Sequence, residues 1–143
     1  MRRALEVATT AAHSGEVPVG AVVVDGEGSV IGVGGNNREA TDRPLGHAEI
    51  IALEQAAAHL GSWRLDECTL IVTLEPCTMC AGAAVQSRIA RIVFGAFDEK
   101  AGAVSSLWDV VRDRRLPHRP EVISGVLAVE CAQILTDFFA RNR

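Results

Sequence analysis

Cys77 and Cys80 stand two residues apart, close enough for two thiolates to hold one cation, and His47 offers an imidazole from a separate segment. Three protein ligands leave one coordination position for water, which is the arrangement of a catalytic zinc rather than a closed structural one. Bound zinc lowers the pKa of that water from about 15.7 to about 7, so hydroxide becomes available at neutral pH. Two thiolates and a neutral imidazole cancel the formal charge of the ion and weaken it as a Lewis acid. If Cys77 and Cys80 open a helix, its unpaired N–H groups offset this by stabilising the sulfurs, and Pro76 suits such a start. Glu49 lies two positions beyond His47, on a different side of a first helical turn, where it can move protons without touching the ion.

Taken alone, a Cys-x-x-Cys pair also fits a redox dithiol or half of a four-ligand structural zinc site. A closed site needs a fourth ligand. The remaining cysteines, Cys68 and Cys131, each stand in a hydrophobic run where a buried, inert thiol is expected. The conjunction of His47, Glu49, Pro76, Cys77 and Cys80 selects the catalytic arrangement over the structural one.

The elements that must position these residues follow from period and punctuation. Leu5, Ala8 and Ala12 recur at helical spacing from Met1 to about His13, and Ser14-Gly15 ends that helix. Val17 to Val24 and Val30 to Val33 read as strands joined by the turn Asp25-Gly26-Glu27-Gly28. Gly34-Gly35-Asn36-Asn37 is expected to end this hairpin, with glycines that let the backbone lie close to something. It is ordinary turn material, although the amide of Asn36 could both donate to and accept from a purine edge.

His47 to Leu60 carries Ile50, Leu53, Ala57 and Leu60 at helical spacing and stops at Gly61, which sets His47 and Glu49 in its first turn. The apolar run Thr69 to Leu74 is a strand covered on both faces, aiming Cys77 and Cys80 at the same place. Ala81 to Ser87 continues the cysteine-bearing helix, Arg91 to Gly95 is the next strand, Val122-Ile123 a last one, and Leu127 to Phe139 closes as a helix. Strands alternating with helices predict a three-layer α/β/α sandwich around a central mixed sheet, an antiparallel hairpin extended by crossover connections.

With 143 residues, 48% of them hydrophobic, a single domain over 1–143 can bury a real core. Arg2, Arg3, Glu6, Thr9, Thr10 and His13 interrupt the first helix, which is therefore neither an export signal nor a membrane span. The thiols are then expected in a reducing, cytoplasmic compartment, open to metal rather than tied in a disulfide. A net charge of −4 argues against indiscriminate nucleic-acid binding, while leaving room for a local basic patch.

The segments Glu16-Val17-Pro18-Val19-Gly20-Ala21-Val22, His47-Ala48-Glu49-Ile50, Thr73-Leu74-Glu75-Pro76-Cys77, Met79-Cys80-Ala81-Gly82 and Ser87-Arg88-Ile89 closely resemble the bacterial tRNA-specific adenosine deaminases. So do Val93-Phe94-Gly95-Ala96 with Asp98 and Lys100, Gly125-Val126-Leu127-Ala128, and Asp137-Phe138-Phe139. The resemblance covers nearly the whole chain. It implies a cytidine deaminase-like fold, a homodimer, one zinc per subunit, and hydrolysis of the wobble adenosine of a tRNA anticodon stem-loop to inosine with release of ammonia. The usual bacterial substrate is an arginine tRNA.

By the family's pattern His47, Cys77 and Cys80 hold zinc, Glu49 shuttles protons, Asn36 contacts the flipped adenine, and Asp98 and Lys100 lie near the flanking nucleotides. The basic run Arg112, Arg114, Arg115, His118 and Arg119 is expected either to meet phosphates or to be plain surface charge. Phe138 and Phe139 are expected either beside RNA or in the core. Two departures stand out: Arg43-Pro44-Leu45-Gly46 precedes His47 where members often carry Asp-Pro-Thr-Ala, and no longer basic tail follows Arg143, so fewer phosphate contacts are expected. The alternatives are a deaminase of free guanine or cytosine on the same zinc framework, and a zinc-stabilised binding module without turnover.

Overall fold

Alanines recurring every fourth residue meet glycine-bearing strands, and this pairing sets how closely the layers pack. In a computed structural model describing residues 1–143, helix α1 (Arg2–His13) buries Ala4, Ala8 and Ala11. Helix α3 (Ala48–Leu60) buries Ala48, Ala52 and Ala56. The strands beneath them are β1 (Gly20–Val24) and β2 (Val30–Gly35). A Cβ on Gly34 would lie 2.1 Å from the Ala48 carbonyl oxygen, and one on Gly32 would lie 2.2 Å from that of Ala52. Only hydrogen fits there.

Gly34 and Gly35 end the hairpin from within it, as the last residues of β2 paired with Ala21 and Gly20, and what lies close to them is the α3 backbone at Gly34 and the α1 side chains of Val7 and Ala11 at Gly35. The spacing of Ile50, Leu53, Ala57 and Leu60 marks the helix correctly, while of these four only Leu53 is buried. Alanine faces the sheet because glycine does, Leu53 is shared, and Leu60 is left 44% exposed. Gly34→Ala is expected to cost about 1–3 kcal/mol through overpacking, read as a lower urea midpoint at unchanged slope. An unchanged midpoint would mean that α3 is free to ride outwards.

The sheet runs β2-β1-β3-β4-β5, with β3 at Thr69–Leu74, β4 at Arg91–Ala96 and β5 at Glu121–Ile123. β1 is antiparallel to both β2 and β3, whereas β3, β4 and β5 are mutually parallel. This is the expected mixed sheet. β3 sits at its centre with Leu70 and Val72 fully buried, which is why its apolar run is nearly continuous. Helices α1 and α5 (Ala128–Arg141) cover one face, while α3 and α4 (Thr78–Gln86) cover the other.

Helix α4 makes the crossover from β3 to β4. From β4 to β5 the chain travels through residues 97–120, which form turns and no helix. A short helix α2 (Arg38–Thr41), unread in the sequence, follows β2. No helix is long and apolar enough to cross a membrane.

Candidate metal centre and substrate pocket

Two helix N-termini converge on one point. His47 is the N-cap of α3 and Cys77 that of α4; both have extended backbones, and their carbonyls accept the first helical bonds, from Ile51 N–H at 3.1 Å and Ala81 N–H at 2.8 Å. Cys80 follows in the first turn of α4. The Sγ atoms of Cys77 and Cys80 lie 3.7 and 3.5 Å from His47 Nδ1. A tetrahedral ion with sulfur at about 2.3 Å and nitrogen at about 2.0–2.1 Å keeps those atoms about 3.6 Å apart. Both nitrogen–sulfur distances therefore fit zinc, and these three are the residues whose ligand atoms cluster for a metal ion, all within 4.8 Å of one another. Cys80 is buried while His47 and Cys77 are partly open, so access to the cluster comes from one side.

The charges in this cluster are mutually dependent. The Cys80 thiol donating to Cys77 draws the Cys77 pKa down to about 4, against the opposing pull of burial. Cys80 is pushed far up, first by that same contact and then by burial. Contact with Cys77 raises the His47 pKa against the opposing effect of burial. Glu49, 4% exposed, is raised to about 7, first by burial. A carboxyl group so tuned occupies both protonation states near neutrality, as a proton shuttle must.

Beside the cluster is a cavity of about 230 Å³, and Asn36, His47, Glu49, Cys77 and Asp98 all line it. Asn36 Oδ1 accepts the Ala48 N–H at 3.0 Å, which fixes which end of the amide is oxygen. One acceptor lone pair is thereby used on the helix, and Nδ2 becomes the group Asn36 offers to a ligand. Lys100 lies outside this cavity. It borders an adjoining groove with Phe97, Asp98, Leu135 and Phe139, so Asp98 stands between the two spaces.

The basic run is largely occupied elsewhere. Arg112 pairs with Asp109 at 2.9 Å, Arg115 pairs with Asp113 at 2.6 Å, and His118 Nε2 meets the Ile89 carbonyl at 2.5 Å. None of the five borders the cavity or the adjoining groove. Phe139 faces that groove, whereas Phe138 lies between α1 and α5. Glu75, which lines the cavity at 2% exposure, is given no role by the sequence analysis; a carboxylate directly after a buried apolar strand is the one local signal available for it. Cys68 and Cys131 are buried and remote from the metal cluster, Cys131 against Gly95 of β4.

The family model of the MafB19-like deaminases matches residues 1–143. The tRNA-specific adenosine deaminase of Haemophilus influenzae is 52% identical over 143 residues, which is all of this chain and 83% of that protein. A solved structure from work on A-to-I editing by tRNA:A34 deaminases at the wobble position superposes with a TM-score of 0.90 at 43% identity, covering 94% of this chain and 97% of the other. A guanine deaminase from Nitrosomonas europaea, covered over 97% and 82% of the two chains, superposes at 0.81 but with 24% identity. The last likeness is one of fold alone.

Proposed function

Because the chain belongs to the tRNA-specific adenosine deaminases, within the MafB19-like deaminase family, we propose that it converts the wobble adenosine of a tRNA anticodon, in an arginine tRNA, to inosine. The observation that carries this reading is the coincidence on one cavity of a zinc-shaped His-Cys-Cys cluster and a buried carboxyl group poised near neutrality. When bound by His47, Cys77 and Cys80, zinc supplies a water acidified to a pKa of about 7.

The remaining work falls to the chain's own groups. The reaction adds water across C6 and expels the amine: a C–O bond forms, the C6–N bond breaks, and adenosine plus water becomes inosine plus ammonia. Glu49, protonated, delivers a proton to the purine ring nitrogen beside C6 and then carries one to the departing amine. Asn36 offers Nδ2 to an acceptor on the purine, while its Oδ1 stays on α3 and holds the amide in that orientation. Val17, Val19 and Leu74 give the cavity an apolar wall that excludes bulk water from the flipped base. Asp98, Lys100 and the exposed ring of Phe139 then meet the nucleotides on either side.

The same reading includes a homodimer and a cytoplasmic location. An apolar trough bordered by Ile50, Leu53, Ala57 and Trp63 lies between α3 and α4, and Trp63 is 61% exposed, which supports pairing of two copies there. Reduced cysteines and a tRNA substrate both belong to the cytoplasm.

Incubation with an arginine anticodon stem-loop carrying a wobble adenosine, beside free adenine, guanine, cytosine and cytidine, is expected to yield inosine in the stem-loop alone. Turnover confined to a free base would replace this reading with the small-molecule alternative. No ammonia from any substrate, with zinc bound, would favour a binding module.

A further inference from the structure

The crossover from β4 to β5 has no helix to stiffen it, yet its first part forms a wall of the cavity. One buried side chain makes most of the bonds that hold that wall, beside the Ala103 N–H donating to Pro76 O at 2.8 Å. Glu75 follows β3 directly, and its backbone N–H extends the pairing with β4 by donating to Ala96 O at 2.9 Å. Its carboxylate turns inwards and accepts five hydrogen bonds from one segment, residues 98–106. Oε1 takes the N–H groups of Val104, Ser105 and Ser106 at 3.2, 2.7 and 2.7 Å. Oε2 takes Asp98 N–H at 3.0 Å and the Ser106 hydroxyl.

The crossing is close. A Cβ on Gly102 would lie 2.4 Å from Glu75 Oε2, so only glycine lets the backbone wrap the carboxylate. The turn is also closed from within, by Gly102 N–H donating to Asp98 O at 2.8 Å. Two residues beyond Glu75 is Cys77, so a single short stretch of chain sets both the metal helix and the pocket wall.

We propose that Glu75 is a positioning residue that fastens the 98–106 segment and thereby presents Asp98 and Lys100 to the RNA flanking the target base. Its role is in capture of the polymer rather than in chemistry at C6. This rests on the proposed tRNA substrate. Glu75→Gln keeps shape but removes the charge and sets an NH₂ group against either the N–H of Asp98 or those of Val104, Ser105 and Ser106, so the segment is loosened while the ligands stay.

The test combines steady-state kinetics on the stem-loop with amide hydrogen exchange of the zinc-loaded protein. For Glu75→Gln the expected result is KM raised by about ten-fold or more, kcat changed by less than about three-fold, and zinc content unchanged. Protection falls at Asp98 or at Val104, Ser105 and Ser106, whichever the NH₂ faces, while α3 and α4 keep theirs. Gly102→Ala, which presses on the carboxylate without removing it, should repeat both effects, and it carries the test should Glu75→Gln not fold. Glu75→Asp, one methylene shorter with its charge intact, should recover part of the KM. Retained protection at both Asp98 and 104–106, or a loss confined to kcat, would overturn the proposal. Because exchange is read without substrate, it decides the fastening even if the stem-loop proves not to be the substrate.

Discussion

Deamination by Glu49→Ala is expected to fall by about 10²–10⁴-fold, with zinc content and fold intact. Glu49 is not among the clustered ligand atoms, so its removal leaves His47, Cys77 and Cys80 able to hold the ion. Burial, the largest influence on its carboxyl, raises its pKa to about 7, a sign that the folded protein bears a desolvation cost at this position. Removing that cost should leave the melting temperature level or raise it. Loss of activity without loss of stability is what a group kept for chemistry predicts. Glu49→Gln sharpens the point, since it keeps the shape of the side chain but cannot carry a proton, and should be as inactive as the alanine variant. Inosine formation, bound metal and thermal melting measured on the same samples check all three. A glutamine variant with more than about a tenth of the wild-type rate would remove Glu49 from proton transfer.

The parts of the site legible in the sequence are those built from side-chain chemistry at fixed spacing. A thiol pair two apart and an imidazole before a helical run announce themselves, and the residues so picked out do cluster. β3 was legible to the residue, Thr69 to Leu74, because a buried central strand is a continuous apolar run with marked ends. Helix α2 was not, since four residues contain too little of a period to read. The packing role of Gly34 and Gly35 was not legible, because a missing side chain looks locally like a turn, and only the folded chain brings the α3 backbone against Gly34 and α1 against Gly35. Glu75 was hidden for a related reason. Four of its five donors are backbone N–H groups from residues 23 to 31 positions later, and a backbone amide has no residue type to read. Apart from α2, what the sequence conceals here is main chain meeting something far away.

Stripping the metal with a strong chelator is expected to abolish turnover and to lower the melting temperature, with both restored by zinc. A ligand that binds only the folded state, at about 1,000 times its Kd, contributes about 4.1 kcal/mol. For a domain of this size that corresponds to about 8–16 °C. The effect should stop short of unfolding, because the sheet and its alanine-on-glycine contacts do not involve the ligands. Cys80→Ser should reproduce the stripped state permanently, since a hydroxyl does not supply the thiolate that the ion requires. Cys68→Ala and Cys131→Ala separate a three-ligand site from a closed one: neither thiol is near the cluster, so both variants should retain one zinc per chain and full activity. Zinc loss in either would mean four protein ligands and no position left for water, in which case the cavity beside His47 would be a binding pocket without a reaction. Full turnover by the stripped protein would sink the metal centre altogether, and Glu49 would have to be reconsidered as a base acting alone.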